Sequence, residues 1–442
     1  MDFFSLTEIQ KNLKQKNITA QEVFNFYLEK IEKHNESLNA FITVSKKALN
    51  NNQAGALTGI PIGIKDLFCT QGVRTTAGSK ALENYRPPYT ATAVKKLEEE
   101  GALLIGKCNN DEFAMGSNGE NSYFGASKNP WNLKHCAGGS SSGSASAVAG
   151  GLCPASLGTD TGGSIRLPAH YCHLVGLKPT YGRVSRYGMI AYASSLDQAG
   201  LLTPTVEDSA LLLDIISGFD PLDSTSAQQP LSCLQKNLNP DIKNKKIIFF
   251  DLEDLKDQID KEVWQAFQDC LKLLKEKGCQ LVEKKWPFLD YGLSVYYLIS
   301  TSEASSNLSR YDGVRYGYQS RQNPKHIQDF YALNRTEAFG EEVRRRIFMG
   351  TFCLSSGYYE EYFHKACQVR TLIKQAFDDL FSSCDAILSP VASSTAPLLK
   401  SEIDPLQTYL NDKFTVFANL IGSPALSLPF SFSKENLPIG VQ

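Results

Sequence analysis

Gly138-Gly139-Ser140-Ser141-Ser142-Gly143-Ser144 is followed, a strand's length further on, by Asp160-Thr161-Gly162-Gly163-Ser164-Ile165-Arg166. Serine is concentrated here beside glycine, where a backbone turns sharply and presents its N–H groups. A hydroxyl nucleophile needs that setting, because acyl transfer develops an oxyanion in its transition state. Pro168 is tolerated in the first turn of a helix, so Ser164 is expected at a helix start. The N–H groups of Thr161, Gly162, Gly163 and Ser164 would then face one point, an expected oxyanion hole. Taken alone, Thr-Gly-Gly-Ser also fits a serine N-cap after a glycine turn. The run 138–146 alone also fits a flexible Gly/Ser linker. A phosphate-binding loop fits poorly, since no lysine follows in the Walker position and no dinucleotide spacing is present.

Upstream lies Gly59-Ile60-Pro61-Ile62-Gly63-Ile64-Lys65-Asp66. In a strand, Ile60, Ile62 and Ile64 share one face and Pro61, Gly63 and Lys65 the other. Gly63 leaves space beside Lys65, and a lysine drawn into that low-dielectric layer loses its charged form, as a general base requires. The alternative is a strand-end lysine reaching solvent.

These three motifs, in this order and spacing, resemble the amidase signature family. The resemblance implies a catalytic triad of Ser164 as nucleophile, Ser140 as bridging serine and Lys65 as base. It implies a cis peptide bond between Gly139 and Ser140. It also implies the family's fold: α/β, with a large mixed central sheet covered by helices on both sides and an N-terminal helical segment. His170 and His173 follow Ser164 closely, but a helix would carry them away from its hydroxyl, so a histidine-based triad lacks its geometry. Cys172 reads as a packed thiol.

The order of elements agrees with an α/β sheet. Ser5-Leu6-Thr7-Glu8 and Thr19-Ala20-Gln21-Glu22 both fit a capping box. Val23, Tyr27 and Ile31, flanked by Phe24 and Leu28, form one apolar helical face, expected to pack on the core, with a partner chain as the alternative. Two segments repeat a helix–glycine–strand pattern: Ala93 to Gly101 then Ala102 to Gly106, and Val263 to Gly278 then Cys279 to Glu283. Residues 219–243, with Pro221, Pro230 and Pro240, read as a long surface connection, or alternatively a flexible linker. The expected organisation is a single domain over 1–442, with helices at about 1–50, the signature core at about 55–205 and a second half at about 244–442.

The formal net charge of −2 calls for no nucleic-acid-binding surface on this chain. Met1-Asp2-Phe3-Phe4-Ser5 shows no basic region leading into an apolar stretch, and no apolar run reaches about 18 residues. Neither a secretory signal nor a membrane span is expected. The 11 cysteines lack paired zinc spacing and read as reduced, mostly buried thiols, which makes the cytoplasm the expected compartment and a metal site unexpected.

Further motifs resemble one branch of the family, the glutaminase chains of the glutamyl-tRNA(Gln)/aspartyl-tRNA(Asn) amidotransferases. They are Asp111-Glu112-Phe113-Ala114-Met115-Gly116-Ser117, Lys178 to Ser185, Ser194 to Gln198, Tyr311 to Gly317, Arg345 to Thr351 and Ser355 to Tyr359. That branch implies hydrolysis of glutamine to ammonia for converting Glu-tRNA(Gln) to Gln-tRNA(Gln); whether Glu-tRNA(Gln), Asp-tRNA(Asn) or both are served stays open at the level of sequence. It implies two partners, the B and C subunits, in a heterotrimer, with mischarged tRNA reached through the complex. No cofactor is expected in this chain; ATP and Mg belong to a partner. Glutamine needs a cation for its α-carboxylate and an anion for its α-ammonium. By resemblance these are Arg346, with Arg345 its easily confused neighbour, and Asp412; Ser117 and Tyr296 complete the expected pocket. In this chain Asn118-Gly119 stand where Ser-Thr is usual, and the C-terminus reads as shortened by a strand and a helix. A stand-alone amidase acting on small or acyl amides is the alternative.

Overall fold

A computed structural model describes residues 5–45, 54–230, 233–322, 324–400, 409 and 411–442. Its centre is an eight-stranded mixed sheet. Phe41–Val44 runs antiparallel to Leu103–Cys108, which lies parallel to Pro61–Lys65, itself parallel to Ser156–Asp160. Beyond Ser156–Asp160, the strands Gln198–Thr203, Val175–Lys178, Ala425–Phe432 and Pro438–Val441 are each antiparallel to the one before. Two large hydrophobic clusters accompany it. One gathers Val23, Phe24, Ile64, Val94, Leu157 and Leu212, and the other Phe250, Phe267, Val295, Val343, Phe377 and Phe417. The mixed sheet, layered helices and helical N-terminus expected from the motifs are all present.

Local chemistry accounts for the main elements. Ser5 accepts the Glu8 N–H at 3.1 Å and starts the Leu6–Lys14 helix. The reciprocal capping box forms at Thr19 and Glu22, opening Ala20–Leu38. Val23, Phe24, Tyr27 and Ile31 are buried on that helix, as their periodicity predicts. Thr92–Glu99 ends at Gly101, whose φ of +84° suits glycine, and leads into the fully buried Leu103–Cys108 strand. Lys261–Glu276 likewise leads through Gly278 to Gln280–Lys284. That second strand is not buried as Leu103–Cys108 is. It is the edge of a separate parallel three-stranded sheet with Lys246–Phe250 and Ala386–Leu388, and its side chains are half-buried or exposed.

The described part of 219–243 is fastened at its start. Asp220 accepts hydroxyls from Ser185 and Thr92, both at 2.6 Å, and Asp223 accepts the Arg186 N–H at 2.8 Å. A short helix, Leu234–Asn237, lies further along it.

Candidate active site

Lys65 ends its strand, and Thr159 stands near the end of the parallel neighbour, so both reach the same edge of the sheet. This edge, at the carboxyl ends of parallel strands, is where α/β sheets gather their ligands. Lys65 Nζ lies 2.8 Å from Ser140 Oγ, 2.9 Å from Ser141 Oγ and 2.8 Å from Thr159 Oγ1. The lysine is fully buried, and burial holds its pKa down to about 7 against the pull of Asp111, Asp160 and Asp197. The strand-end lysine reaching solvent is therefore not what forms. The Gly139–Ser140 peptide bond is cis. Ser141 Oγ donates to Thr159 O at 3.1 Å, which commits its proton and makes it an acceptor for Lys65.

Ser164 differs from the other two residues in one respect: it keeps 8% exposure, against none for Lys65 and Ser140. It is also not the helix cap. The following helix runs Arg166–Cys172 with Ile165 as its N-cap, so the capping reading of Thr-Gly-Gly-Ser is corrected. Ser141 N–H donates to Ser164 O at 3.2 Å and ties the two serine loops together.

The loop before Ser164 is held from behind by Asp160. Its carboxylate accepts Gly163 N–H at 2.9 Å and Ile165 N–H at 3.2 Å. Arg166, fully buried, meets the same carboxylate through Nη2 at 3.0 Å and Nε at 3.1 Å, and Asn419 adds a fourth partner at 2.9 Å. Burial pushes Asp160 up, but the Arg166 charge overcomes it and holds the carboxyl at about 2. The expected nest is thus altered at one position, because Gly163 N–H is turned to Asp160. Among the described residues, the N–H groups of Thr161, Gly162 and Ser164 have no protein acceptor. A Cβ at Gly162 would collide with the Tyr296 ring, so only glycine fits there.

Arg346 and Asp412 come together across the Tyr297 ring. Asp412 accepts the Tyr297 hydroxyl at 2.8 Å and the Ser117 hydroxyl at 3.1 Å from both oxygens. Burial raises its pKa to about 6, against those two hydrogen bonds and the Arg346 charge. Arg346 is buried at 3% exposure, whereas the Arg345 side chain is 36% exposed and pairs with Glu341 and Glu342. The inward-facing arginine is therefore Arg346. Its guanidinium lies over the rings of Tyr192, Tyr297 and Tyr409, 5.3 to 5.6 Å from their centroids. Tyr296 packs edge-on against Tyr297 at 5.0 Å and so touches both the nucleophile loop and this pocket.

Several contributors escape a reading of the motifs. Thr159 and Ser141 complete the lysine's surroundings, and nothing in their local pattern marks a hydrogen bond reaching from another strand. Asp111 fixes the loop opposite, accepting Asn121 N–H at 2.9 Å and Gly119 N–H at 3.1 Å. Gly119 has φ +79° and a Cβ there would strike Ser142, so this chain's glycine at the pocket lip answers a backbone need. Tyr192, Tyr297, Tyr409 and Glu342 are equally unmarked.

The rival residues are occupied elsewhere. His170 is buried, accepts Gly440 N–H at 2.7 Å, and burial lowers its pKa to about 4. Cys172 is buried with its thiol pushed well above its ordinary value. Among the described residues, no group of three or more His, Cys, Asp or Glu is arranged to hold a metal, and no helix is long and apolar enough to cross a membrane.

Here a buried lysine is hydrogen-bonded to one serine loop, and a second serine on the glycine turn is tied to that loop. The amidase family profile matches residues 22–442, and the chain belongs to that family. Among its relatives is the A chain of the glutamyl-tRNA(Gln) amidotransferase of Bdellovibrio bacteriovorus, 48% identical over all of this chain and 93% of the relative. The A chain of the enzyme of that name from Neisseria meningitidis serogroup A is 46% identical over all of this chain and 94% of its own length. The crystal structure of the corresponding Thermotoga maritima protein superposes with a TM-score of 0.84 at 42% identity, covering 99% of this chain and 89% of that one. The peptide amidase of Stenotrophomonas maltophilia shares the fold with a TM-score of 0.83 at 27% identity, over 99% and 92% of the two chains.

Proposed function

We propose that this chain is the glutaminase component of a tRNA-dependent amidotransferase, releasing ammonia from glutamine for the conversion of Glu-tRNA(Gln) to Gln-tRNA(Gln). The observation that carries the reading is the buried Arg346–Asp412 pair, set across one tyrosine ring, beside a lysine–serine amidase centre. A free α-amino acid carries one carboxylate and one ammonium, and this pair offers one partner for each. A neutral acyl amide has no use for two buried opposite charges. The identity of 45–48% to the amidotransferase A chains over nearly their whole length supports the same reading.

In this reading Lys65, Ser140 and Ser164 are the catalytic residues. Neutral Lys65 takes a proton from Ser140 as Ser140 takes one from Ser164. The Ser164 oxygen adds to the γ-amide carbon of glutamine, and the N–H groups of Thr161, Gly162 and Ser164 hold the resulting oxyanion. The carbon–nitrogen bond then breaks, the relayed proton passes to the leaving nitrogen, and ammonia departs. Water, deprotonated through the same relay, attacks the γ-glutamyl ester and releases glutamate, restoring Ser164. Arg346 holds the α-carboxylate and Asp412 the α-ammonium, with Ser117 and Tyr296 shaping the pocket. The overall enzyme is a carbon–nitrogen ligase with glutamine as amido donor. The B and C subunits complete the heterotrimer, and the partner supplies ATP, Mg and the tRNA site. Work on aminoacylated tRNA suits the cytoplasm.

The test is ammonia release from glutamine by the purified chain, alone and with the B and C subunits, mischarged tRNA and ATP. Release that requires Ser164 and grows in the full mixture supports the reading. No Ser164-dependent release in the full mixture contradicts it; release from simple acyl amides without partners would favour a stand-alone amidase.

A further inference from the structure

Glu342 stands where two halves of the Arg346–Asp412 pocket meet. Its Oε1 accepts Arg346 Nε at 2.8 Å and the Tyr409 hydroxyl at 2.9 Å, while Oε2 pairs with Arg345. The Tyr409 ring stacks on Tyr297 at 4.3 Å and 29°, and Tyr297 donates its hydroxyl to Asp412. A continuous path thus runs from Arg346 through Glu342, Tyr409 and Tyr297 to Asp412.

The donors of Arg346 show what this path does. A guanidinium has five N–H bonds and meets a carboxylate either side-on, through Nε and one Nη, or end-on, through both Nη atoms. Glu342 occupies Nε, and Nη1 gives one hydrogen to the Tyr192 hydroxyl at 2.8 Å. Among the described residues nothing accepts from Nη2. The side-on approach is closed and the end-on approach is left open. Arg346 and Asp412 bring a guanidinium and a carboxylate to the same pocket, opposite in sign to the two ends of a zwitterion.

We propose that Glu342, with Tyr409, is a positioning residue that sets amino-acid specificity: it fixes Arg346 for end-on capture of a substrate α-carboxylate and couples its placement to Asp412. Neither residue touches the reacting atoms. The inference rests on the glutaminase reading, and its test separates the two.

The experiment compares glutamine with 4-aminobutanamide, which is glutamine without its α-carboxylate, as substrates of the assembled enzyme. Parent, Glu342→Gln, Glu342→Asp and Tyr409→Phe forms are measured for kcat and KM on both. Glu342→Gln lowers the preference for glutamine over 4-aminobutanamide by about tenfold, the size of one charge-assisted hydrogen bond, with the loss in KM for glutamine. Tyr409→Phe keeps the ring and shows a smaller loss in the same direction, and Glu342→Asp recovers part of the preference. Equal losses on both substrates, or an unchanged preference, overturn the proposal, since a merely structural role moves both alike. Absence of glutamine hydrolysis in the parent assembly instead overturns the glutaminase reading beneath it.

Discussion

Lys65 Nζ lies 2.8 Å from Ser140 Oγ, and among the described residues it forms no ion pair with a carboxylate. Its hydrogen-bond partners are three hydroxyls, and the pull of Asp111, Asp160 and Asp197 falls short of the cost of burying its charge. The chain places a lysine that is half-neutral near physiological pH against a serine, and the remaining chemistry depends on that choice.

The first expectation concerns pH. With the Lys65 pKa held at about 7, the neutral base becomes scarcer as pH falls below that value. The glutamine kcat is expected to rise with pH, with a midpoint near 7, and to fall about tenfold per unit on the acid side. Lys65→Ala is expected to lose about 100-fold to 10,000-fold in kcat and the limb with it. A flat profile between pH 6 and 9 would separate Lys65 from the rate.

Ser164 and Ser140 should separate kinetically. Ser164→Ala removes the nucleophile and is expected to abolish turnover. Ser140→Ala keeps the nucleophile and breaks the relay, so a slow residual rate remains, lower by about 100-fold to 10,000-fold. Equal residual rates in the two variants would contradict the division of roles.

Asp412 predicts a second pH effect, on binding rather than chemistry. Burial raises its pKa to about 6, so it loses its charge as pH falls through that value. KM for glutamine is expected to rise below pH 6 while kcat follows Lys65. Asp412→Asn should raise KM at every pH and remove this dependence, as steady-state measurement across pH will show.

Asp160 predicts an effect on stability. Its folded-state pKa is depressed to about 2 by Arg166, so its contribution is complete above the ordinary carboxylate value and is lost as pH falls towards 2. Asp160→Asn leaves Arg166 buried without its counter-charge and is expected to destabilise the fold by about 3–5 kcal/mol. Denaturant unfolding at pH 7 measures this, and a change under about 1 kcal/mol would show that the pair does not hold the loop.

How much of this could be read from residues alone depended on distance along the chain. Glycine-flanked serines and the alternating strand before Lys65 are local patterns, and the structure sets Lys65 against Ser140 and ties the Ser141 and Ser164 loops together. The helix–glycine–strand signal gave two αβ units but not their sheets: Gln280–Lys284 has the same pattern as Leu103–Cys108 yet lies at an exposed edge. A local pattern carries no record of which strand becomes a neighbour. The Gly163 N–H was misassigned for a related reason, since a carboxylate three residues back, Asp160, competes for it once Arg166 fixes its orientation. The tyrosines around Arg346 come from separate segments, and their shared feature is a site that exists only after folding.

The central claim is that Ser164 is acylated by glutamine. Rapid acid quench of the assembled enzyme turning over glutamine, followed by mass mapping of its peptides, tests it directly. The account predicts a γ-glutamyl ester on the peptide containing Ser164, absent from Ser164→Ala. Ammonia release that persists in Ser164→Ala, with no ester on any serine of the 138–166 region, would contradict it.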